Sequence, residues 1–124
     1  MLEYKKDPLL SEQMEHLRRF EESIQKSLEI VQSNLLNKGR EYASNKSKFH
    51  NFEQISRIDN ITREQALWGV AMKHLSSVID IKNNIAEGQL PTQEFLDEKL
   101  GDWITYMCLL YASISERICL NKEQ

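Results

Sequence analysis

Apolar residues recur at alternating intervals of three and four along the first third of the chain. The positions are Leu10, Met14, Leu17, Ile24, Leu28, Val31 and Leu35, and the series is interrupted at Glu21. This spacing places the side chains on one face of a helix, and a repeat sustained over more than three heptads indicates coiled-coil-like packing along a partner helix. With only 4 Gly and 2 Pro in 124 residues, the chain favours a few long helices over many short strands. We therefore predict an all-α fold and expect a homo-oligomer.

The rest of the chain divides into one long connection and two further helices. Thr62 and Gln65 form the pattern of a capping box, and Thr92, after Pro91, is a suitable N-cap. Gly39 predicts the end of the first helix. The short link between the last two helices makes them antiparallel neighbours. We thus predict a single domain, residues 1–124, forming an antiparallel bundle of three long helices at about 9–37, 62–87 and 92–120.

Residues 38–61 have no helical period and are expected to form a long irregular loop. A loop of this length in a compact domain usually has a function. Its aromatic residues allow a simpler role as well, because Phe49 and Phe52 could pin the connection to the core. Both alternatives remain open from the sequence.

Composition excludes several functions. The net charge of −3 disfavours duplex DNA or an anionic membrane as the main partner, because both reward a basic surface. No apolar run approaches the ~20 residues that a membrane span needs. The charged N-terminus does not resemble a signal peptide. Cys108 and Cys119 would lie roughly 16 Å apart along one helix, too far to form a disulfide within the chain. A reduced, cytoplasmic location is the expectation.

Polar ridges on the last two helices are the candidate site. One ridge combines Lys73, Ser77, Asp80 and Asn84, and the other combines Glu98, Asp102 and Tyr106. Residues three and four apart lie on the same helix face. If the two helices pack antiparallel, both ridges could face one groove and bring the charged residues together.

Two interpretations of this groove compete. Its carboxylates could bind a hard cation such as Mg2+, which prefers oxygen ligands, or Lys73 could form a structural ion pair with Asp80 or Asp102. His74 falls within an apolar stripe and has the position of a core histidine or of a ligand residue. A glycine inside a helix, such as Gly101, costs about 1 kcal/mol relative to Ala. Close approach of a neighbouring backbone or a ligand would explain why a glycine stands there.

Residues from about 35 to 117 resemble a group of small uncharacterised bacteriophage and prophage proteins. The resemblance is carried by four segments: Lys38-Gly39-Arg40-Glu41-Tyr42, Phe49-His50-Asn51-Phe52, Lys73-His74 through Asp80, and Glu98-Lys99-Leu100-Gly101-Asp102-Trp103.

More remotely, the last two helices look like those of the MazG-like all-α nucleoside triphosphate pyrophosphohydrolases. Those enzymes hold Mg2+ with Glu-x-x-Glu on one helix and Glu-x-x-Asp on the next. Here Asp102 and Asp80 keep a carboxylate, whereas Lys99 and Ser77 stand where the motifs have Glu. A lysine repels the cation that the motif would bind. Glu98 and Glu41 are the candidates to replace the missing carboxylates.

This resemblance implies a phage-type, MazG-like protein that binds or hydrolyses a nucleotide with Mg2+ in the cytoplasm of a bacterial host. Its implied metal ligands are Asp80, Glu98 and Asp102. Its implied ligand-binding residues are Glu41, Tyr42, Asn51, Lys73, His74 and Tyr106. The alternatives are a non-catalytic phage accessory protein that sequesters a nucleotide or binds a host protein, and a purely structural helical oligomer.

Overall fold

The structure is a computed structural model that describes residues 8–41 and 47–123, with side chains for residues 8–37 and 47–123. This part of the chain is helical and contains no strand, which confirms the all-α prediction. Its helices are α1 (Pro8–Glu41), α2 (His50–Asp59), α3 (Arg63–Ala86) and α4 (Gln93–Lys122). The prediction of about three helices was therefore one helix short. The predicted stop at Gly39 was also wrong, because α1 continues to Glu41.

Helix α2 lies inside the segment that was predicted to be an irregular loop. Ten residues are too few to display a clear apolar period, and half of the residues of α2 are exposed. It ends at Asn60, which adopts the left-handed conformation with φ 54°. Phe49, which precedes α2, and Phe52, in its first turn, are both buried. The expectation that these two aromatics pin the connection to the core is confirmed.

The predicted helix starts are formed by the expected side chains. Thr62 Oγ1 accepts a hydrogen bond from Gln65 N at 3.0 Å, and Gln65 Oε1 accepts one from Thr62 N at 2.9 Å. This reciprocal pair is the predicted capping box, and it satisfies amide groups that the first turn of α3 leaves free. At the start of α4, Thr92 Oγ1 accepts from Phe95 N at 3.1 Å.

Helix α4 is the central element, because α1 and α3 both pack against it while α2 packs against α3. The helices α3 and α4 are antiparallel, as predicted: His74 lies opposite Asp102, and Arg63, earlier in α3, lies opposite Ser113, later in α4. Their packing includes an edge-to-face contact of Trp68 with Trp103, with ring centroids 6.0 Å apart.

Helix α1, in contrast, runs parallel to α4. Lys26 Nζ lies 3.1 Å from Asp97 Oδ2, and Asn34 Nδ2 donates to Thr105 Oγ1 at 3.0 Å, so residue numbers rise together along both helices. This register places Gln93, the first residue of α4, level with residue 22 of α1. The first fourteen residues of α1 therefore project about 20 Å beyond the start of α4, at 1.5 Å per residue.

The core is formed where α2, α3 and α4 meet. Leu67 and Ala71 are fully buried, and the remaining buried members are Phe49, Phe52, Ala66 and Tyr106. None of the helices within residues 8–41 and 47–123 is long and apolar enough to cross a membrane.

Candidate functional site

The structure brings together three of the residues that the sequence analysis named as site candidates: Asp102 and Tyr106 from one polar ridge, and His74 from the apolar stripe of the neighbouring helix. His74 Nδ1 lies 3.6 Å from Asp102 Oδ2, and the His74 ring stacks on Tyr106 with centroids 4.8 Å apart and an interplanar angle of 26°. Tyr106 is buried, whereas His74 and Asp102 are partly exposed. Helix α4 therefore presents a carboxylate and an aromatic ring to one histidine of α3.

The other members of the two ridges do not join this cluster. Lys73, Asp80 and Glu98 are exposed, and the carboxylate of Glu98 lies 3.4 Å from Lys99 Nζ on its own helix. The predicted ion pair of Lys73 with Asp80 or Asp102 is not among the described ion pairs. Each ridge runs along much of its helix. Only the ridge residues nearest the contact line between α3 and α4 reach the neighbouring helix.

The residues at this groove do not form the oxygen-rich set that Mg2+ prefers. The nearest partner of the Asp102 carboxylate is an imidazole nitrogen rather than a second carboxylate. Among the side chains of residues 8–37 and 47–123, no three His, Cys, Asp or Glu lie close enough together to hold a metal ion. The side chain of Glu41 and the whole of Tyr42 lie outside the described residues, so those two predictions stay predictions.

Tyr106 connects the groove to an apolar pocket on its other side. Its ring meets Phe52 edge to face, with centroids 6.3 Å apart and an interplanar angle of 80°. Phe52, Tyr106 and His74 thus form a continuous aromatic column from the pocket wall to Asp102. Edge-to-face and offset-stacked geometries are the ones that aromatic quadrupoles favour.

The pocket has a volume of about 480 Å³ and is built by all four helices. Small-molecule sites typically measure about 300–1,000 Å³ and combine apolar walls with a few polar groups. Here the polar residues are Lys48 and Asn51, both of them exposed. The walls are aromatic and aliphatic: Leu35, Phe49, Phe52, Ile55, Val70, Tyr106, Leu109 and Ala112.

A second pocket, of about 460 Å³, lies between α1 and α4. The principal charges that line it already have partners on the protein. Lys26 pairs with Asp97, and Arg19 lies 3.7 Å from Glu15. Hydrogen bonds from Gln93 and Lys26 lower the pKa of Asp97, partly offset by burial. This arrangement fits a contact between two helices better than a ligand site.

No protein-family model, curated protein or solved structure matches this chain. Its function therefore has to be argued from the geometry of its own residues.

The sequence analysis missed an ionic cluster centred on Arg63. The guanidinium is buried and donates to Ser113 Oγ at 2.7 Å and to the Ser113 carbonyl at 3.1 Å. It lies 3.2 Å from Glu116 and 3.5 Å from Glu53, and it stacks 4.3 Å from the centroid of Phe49. The cluster joins α2, α3 and α4. The sequence did contain a signal for this cluster, namely an arginine in the first turn of α3. A cation there opposes the helix dipole and needs compensating anions.

Glu64 extends this cluster to the surface. Burial raises the pKa of its carboxyl, but hydrogen bonds from Arg117 and Ser113 outweigh burial and hold the pKa at about 2. Arg117 Nε lies 2.6 Å from Glu64 Oε1. The carboxylate is therefore ionised in the folded protein at pH values where it would be protonated in the unfolded chain.

This shift predicts a loss of stability in acid. The folded pKa of about 2 lies below the ordinary value of 4.5, so the contribution of Glu64 is complete above pH 4.5 and disappears as the pH falls towards 2. The slope from this one group is at most about 1.4 kcal/mol per pH unit. Urea unfolding between pH 6 and pH 2.5 measures it, with Glu64→Gln as the matched variant. An unchanged pH slope in that variant would contradict the assignment.

Proposed function

We propose that this protein binds a nucleotide, with the base in the aromatic pocket and the phosphate at Lys48. The observation that supports the proposal is the pocket itself, whose walls include Phe49, Phe52 and Tyr106 and whose polar residues are Lys48 and Asn51. Flat heteroaromatic rings stack favourably on aromatic side chains, by about 1–3 kcal/mol per base. An ammonium group contacts phosphate as a point charge.

The proposal favours binding over hydrolysis. Hydrolysis of a phosphoanhydride needs a metal that polarises phosphate and activates water. Asp80 and Glu98 are exposed, and among the described side chains they form no metal-binding group with Asp102 and His74. The substitution of Lys99 for a motif carboxylate points the same way. A role in sequestering a nucleotide fits these residues without a catalytic step.

Lysine substitutions distinguish the pocket from the ridge of α3. Both Lys48 and Lys73 are exposed, so Lys48→Glu and Lys73→Glu make the same charge change at different places. We expect Lys48→Glu to weaken the binding of nucleoside triphosphates by about tenfold or more. The change replaces an attraction of about 1 kcal/mol at 4 Å in water with a repulsion of similar size, and about 1.4 kcal/mol is already tenfold. Lys73→Glu should leave binding unchanged, and neither variant should alter the binding of the uncharged nucleosides. Isothermal titration with matched nucleosides and nucleotides measures both.

A substitution in the wall of the pocket tests the same site independently of charge. Ala112 lines the pocket and is exposed, so Ala112→Phe should fill the cavity without disturbing the core, and Ala86→Phe, at an exposed alanine of α3, is its control. Ligand at 100 times its Kd stabilises a protein by about 2.7 kcal/mol, and Ala112→Phe alone should abolish that thermal shift.

Three results would overturn the proposal. Loss of binding in Lys73→Glu but not in Lys48→Glu would move the site to the ridge. Release of phosphate or pyrophosphate with Mg2+, abolished by Asp102→Ala, would make the protein a hydrolase. No thermal shift with any nucleotide, with or without Mg2+, would remove nucleotides as the ligand class.

A further inference from the structure

The apolar face that the sequence predicts on α1 is covered at its C-terminal end, where Val31 is buried, but it is exposed from Leu10 to Leu28 in the part of the chain that the structure describes. Every residue from 8 to 26 is exposed. The exposed apolar side chains are between 46% and 64% accessible, and they are Leu9, Leu10, Met14, Leu17, Phe20, Ile24 and Leu28. Helix α1 instead contacts α4 through a different face, on which Ser23, Lys26, Ile30 and Asn34 lie.

A helix in this position needs a partner. Among the described helices only α4 packs against α1, and in the register described above it does not reach the first fourteen residues of α1. Isolated helices of about 12–15 residues are marginal in water. A contiguous apolar stripe on a soluble protein marks an interaction surface. In this chain the stripe keeps the heptad spacing of a coiled coil.

The exposed area sets an upper limit on the surface that a partner could cover. The whole chain exposes 9960 Å², whereas a compact monomer of 14.6 kDa exposes about 6,900 Å². An obligate homodimer buries about 1,000–2,500 Å² on each chain. The excess of about 3,000 Å² is large enough for such an interface.

We infer that two copies of this chain pair through the α1 face formed by Leu10, Met14, Leu17, Ile24 and Leu28. Pairing with a second copy places one projecting segment beside another of equal length and equal apolar character. Both segments would then gain the helical neighbour that each chain by itself does not supply.

Glu21 determines the orientation. In a parallel, in-register pair it would face its own copy, and like charges opposed in a seam repel. One antiparallel register instead sets Glu21 level with Leu17 of the partner subunit. The same register sets Leu10 level with Leu28 of the partner subunit and Met14 level with Ile24 of the partner subunit. It covers the whole stripe and leaves the two α3–α4 hairpins at opposite ends, so we assign the antiparallel pairing.

Light scattering after gel filtration tests the interface. The wild-type chain should have about twice its 14.6 kDa mass, and Leu17→Glu/Ile24→Glu should halve the measured value. The control is Ile58→Glu/Leu90→Glu, which places the same two charges at apolar residues that are each 82% exposed outside α1. Its mass should remain that of the dimer. A monomeric wild-type protein, or a dimer that survives the α1 substitutions, overturns the inference.

Disulfide cross-linking tests the orientation in a background with Cys108→Ser and Cys119→Ser. Leu10→Cys and Leu28→Cys are made in separate chains and then mixed, refolded together and oxidised. Antiparallel pairing links the mixed chains and leaves each single variant unlinked. Cross-linking of each variant with itself, without mixing, means a parallel pair and overturns the antiparallel assignment.

Discussion

Replacing Arg63 with methionine should lower the free energy of unfolding by about 1–3 kcal/mol, the usual cost of removing one partner of buried hydrogen bonds. The methionine keeps an apolar stem beside Phe49, so the change removes mainly the guanidinium. It removes the hydrogen bonds that Arg63 donates to the Ser113 hydroxyl and carbonyl, and it leaves Glu53 and Glu116 without their shared cation. Urea unfolding at a fixed protein concentration measures the effect.

A lysine at the same position should rescue only part of the loss. Lysine retains the charge but not the planar fork that serves Ser113 and Glu116 together. The control is Arg57→Met, because Arg57 is exposed and donates at 3.3 Å to the Glu53 carbonyl within α2. Its effect should stay within about 0.5 kcal/mol, as for most surface positions. A loss of less than 1 kcal/mol in Arg63→Met would mean that the cluster is solvated and contributes little to folding.

The long helices were predictable because their signals are local. Capping residues such as Thr62 and Thr92 act within one turn, and apolar periodicity over twenty or more residues averages out exceptions. Helix α2 was missed for the opposite reason, since its ten residues owe their position to burial of Phe52 against α3 and α4. The sequence also did not indicate that α1 packs on α4, because this contact depends on pairs such as Asn34 and Thr105 that are far apart in sequence.

The candidate site was predictable only in part. Spacing along one helix correctly grouped Asp102 with Tyr106, and the antiparallel arrangement brought His74 to them. Spacing gave no information about which residues of each ridge lie at the contact line, so Asp80 and Glu98 were placed in a cluster that they do not join. Arg63 was missed because its partners Glu53 and Ser113 lie on two other helices, and no periodicity within one helix links them.

Gly101 illustrates how a motif residue can owe its identity to packing. It belongs to the Glu-Lys-Leu-Gly-Asp string that resembles a metal-binding motif, and the sequence indicated that a neighbour approaches it closely. In the structure that neighbour is a side chain of α1: a Cβ placed on Gly101 would lie 2.6 Å from Ile30 Cγ2. The Thr105 hydroxyl also donates to the Gly101 carbonyl at 2.7 Å while it accepts from Asn34. The glycine therefore lets α1 dock on α4, whatever ligand the protein binds.

This packing predicts opposite outcomes for the two glycines that lie within α3 and α4. Alanine favours a helix over glycine by about 1 kcal/mol, and a Cβ on Gly69 would have no atom within 4 Å. Gly69→Ala should therefore stabilise the protein. Gly101→Ala makes the same intrinsic gain but forces Ile30 to move, and overpacking costs about 1–3 kcal/mol. The unfolding free energies of the two variants should differ by that overpacking cost, with Gly101→Ala the less stable.

A double-mutant cycle assigns the cost to the α1 contact. In an Ile30→Ala background the blocking methyl group is absent, so Gly101→Ala should be no worse than neutral, and the coupling between the two positions should be about 1–3 kcal/mol in the favourable direction. The same cycle between Gly69 and Ile30 serves as the control, and its changes should add within about 0.5 kcal/mol. If Gly101→Ala stabilised the protein as much as Gly69→Ala, α1 would not lie on α4 at this distance, and the parallel register from which its projecting segment follows would be wrong.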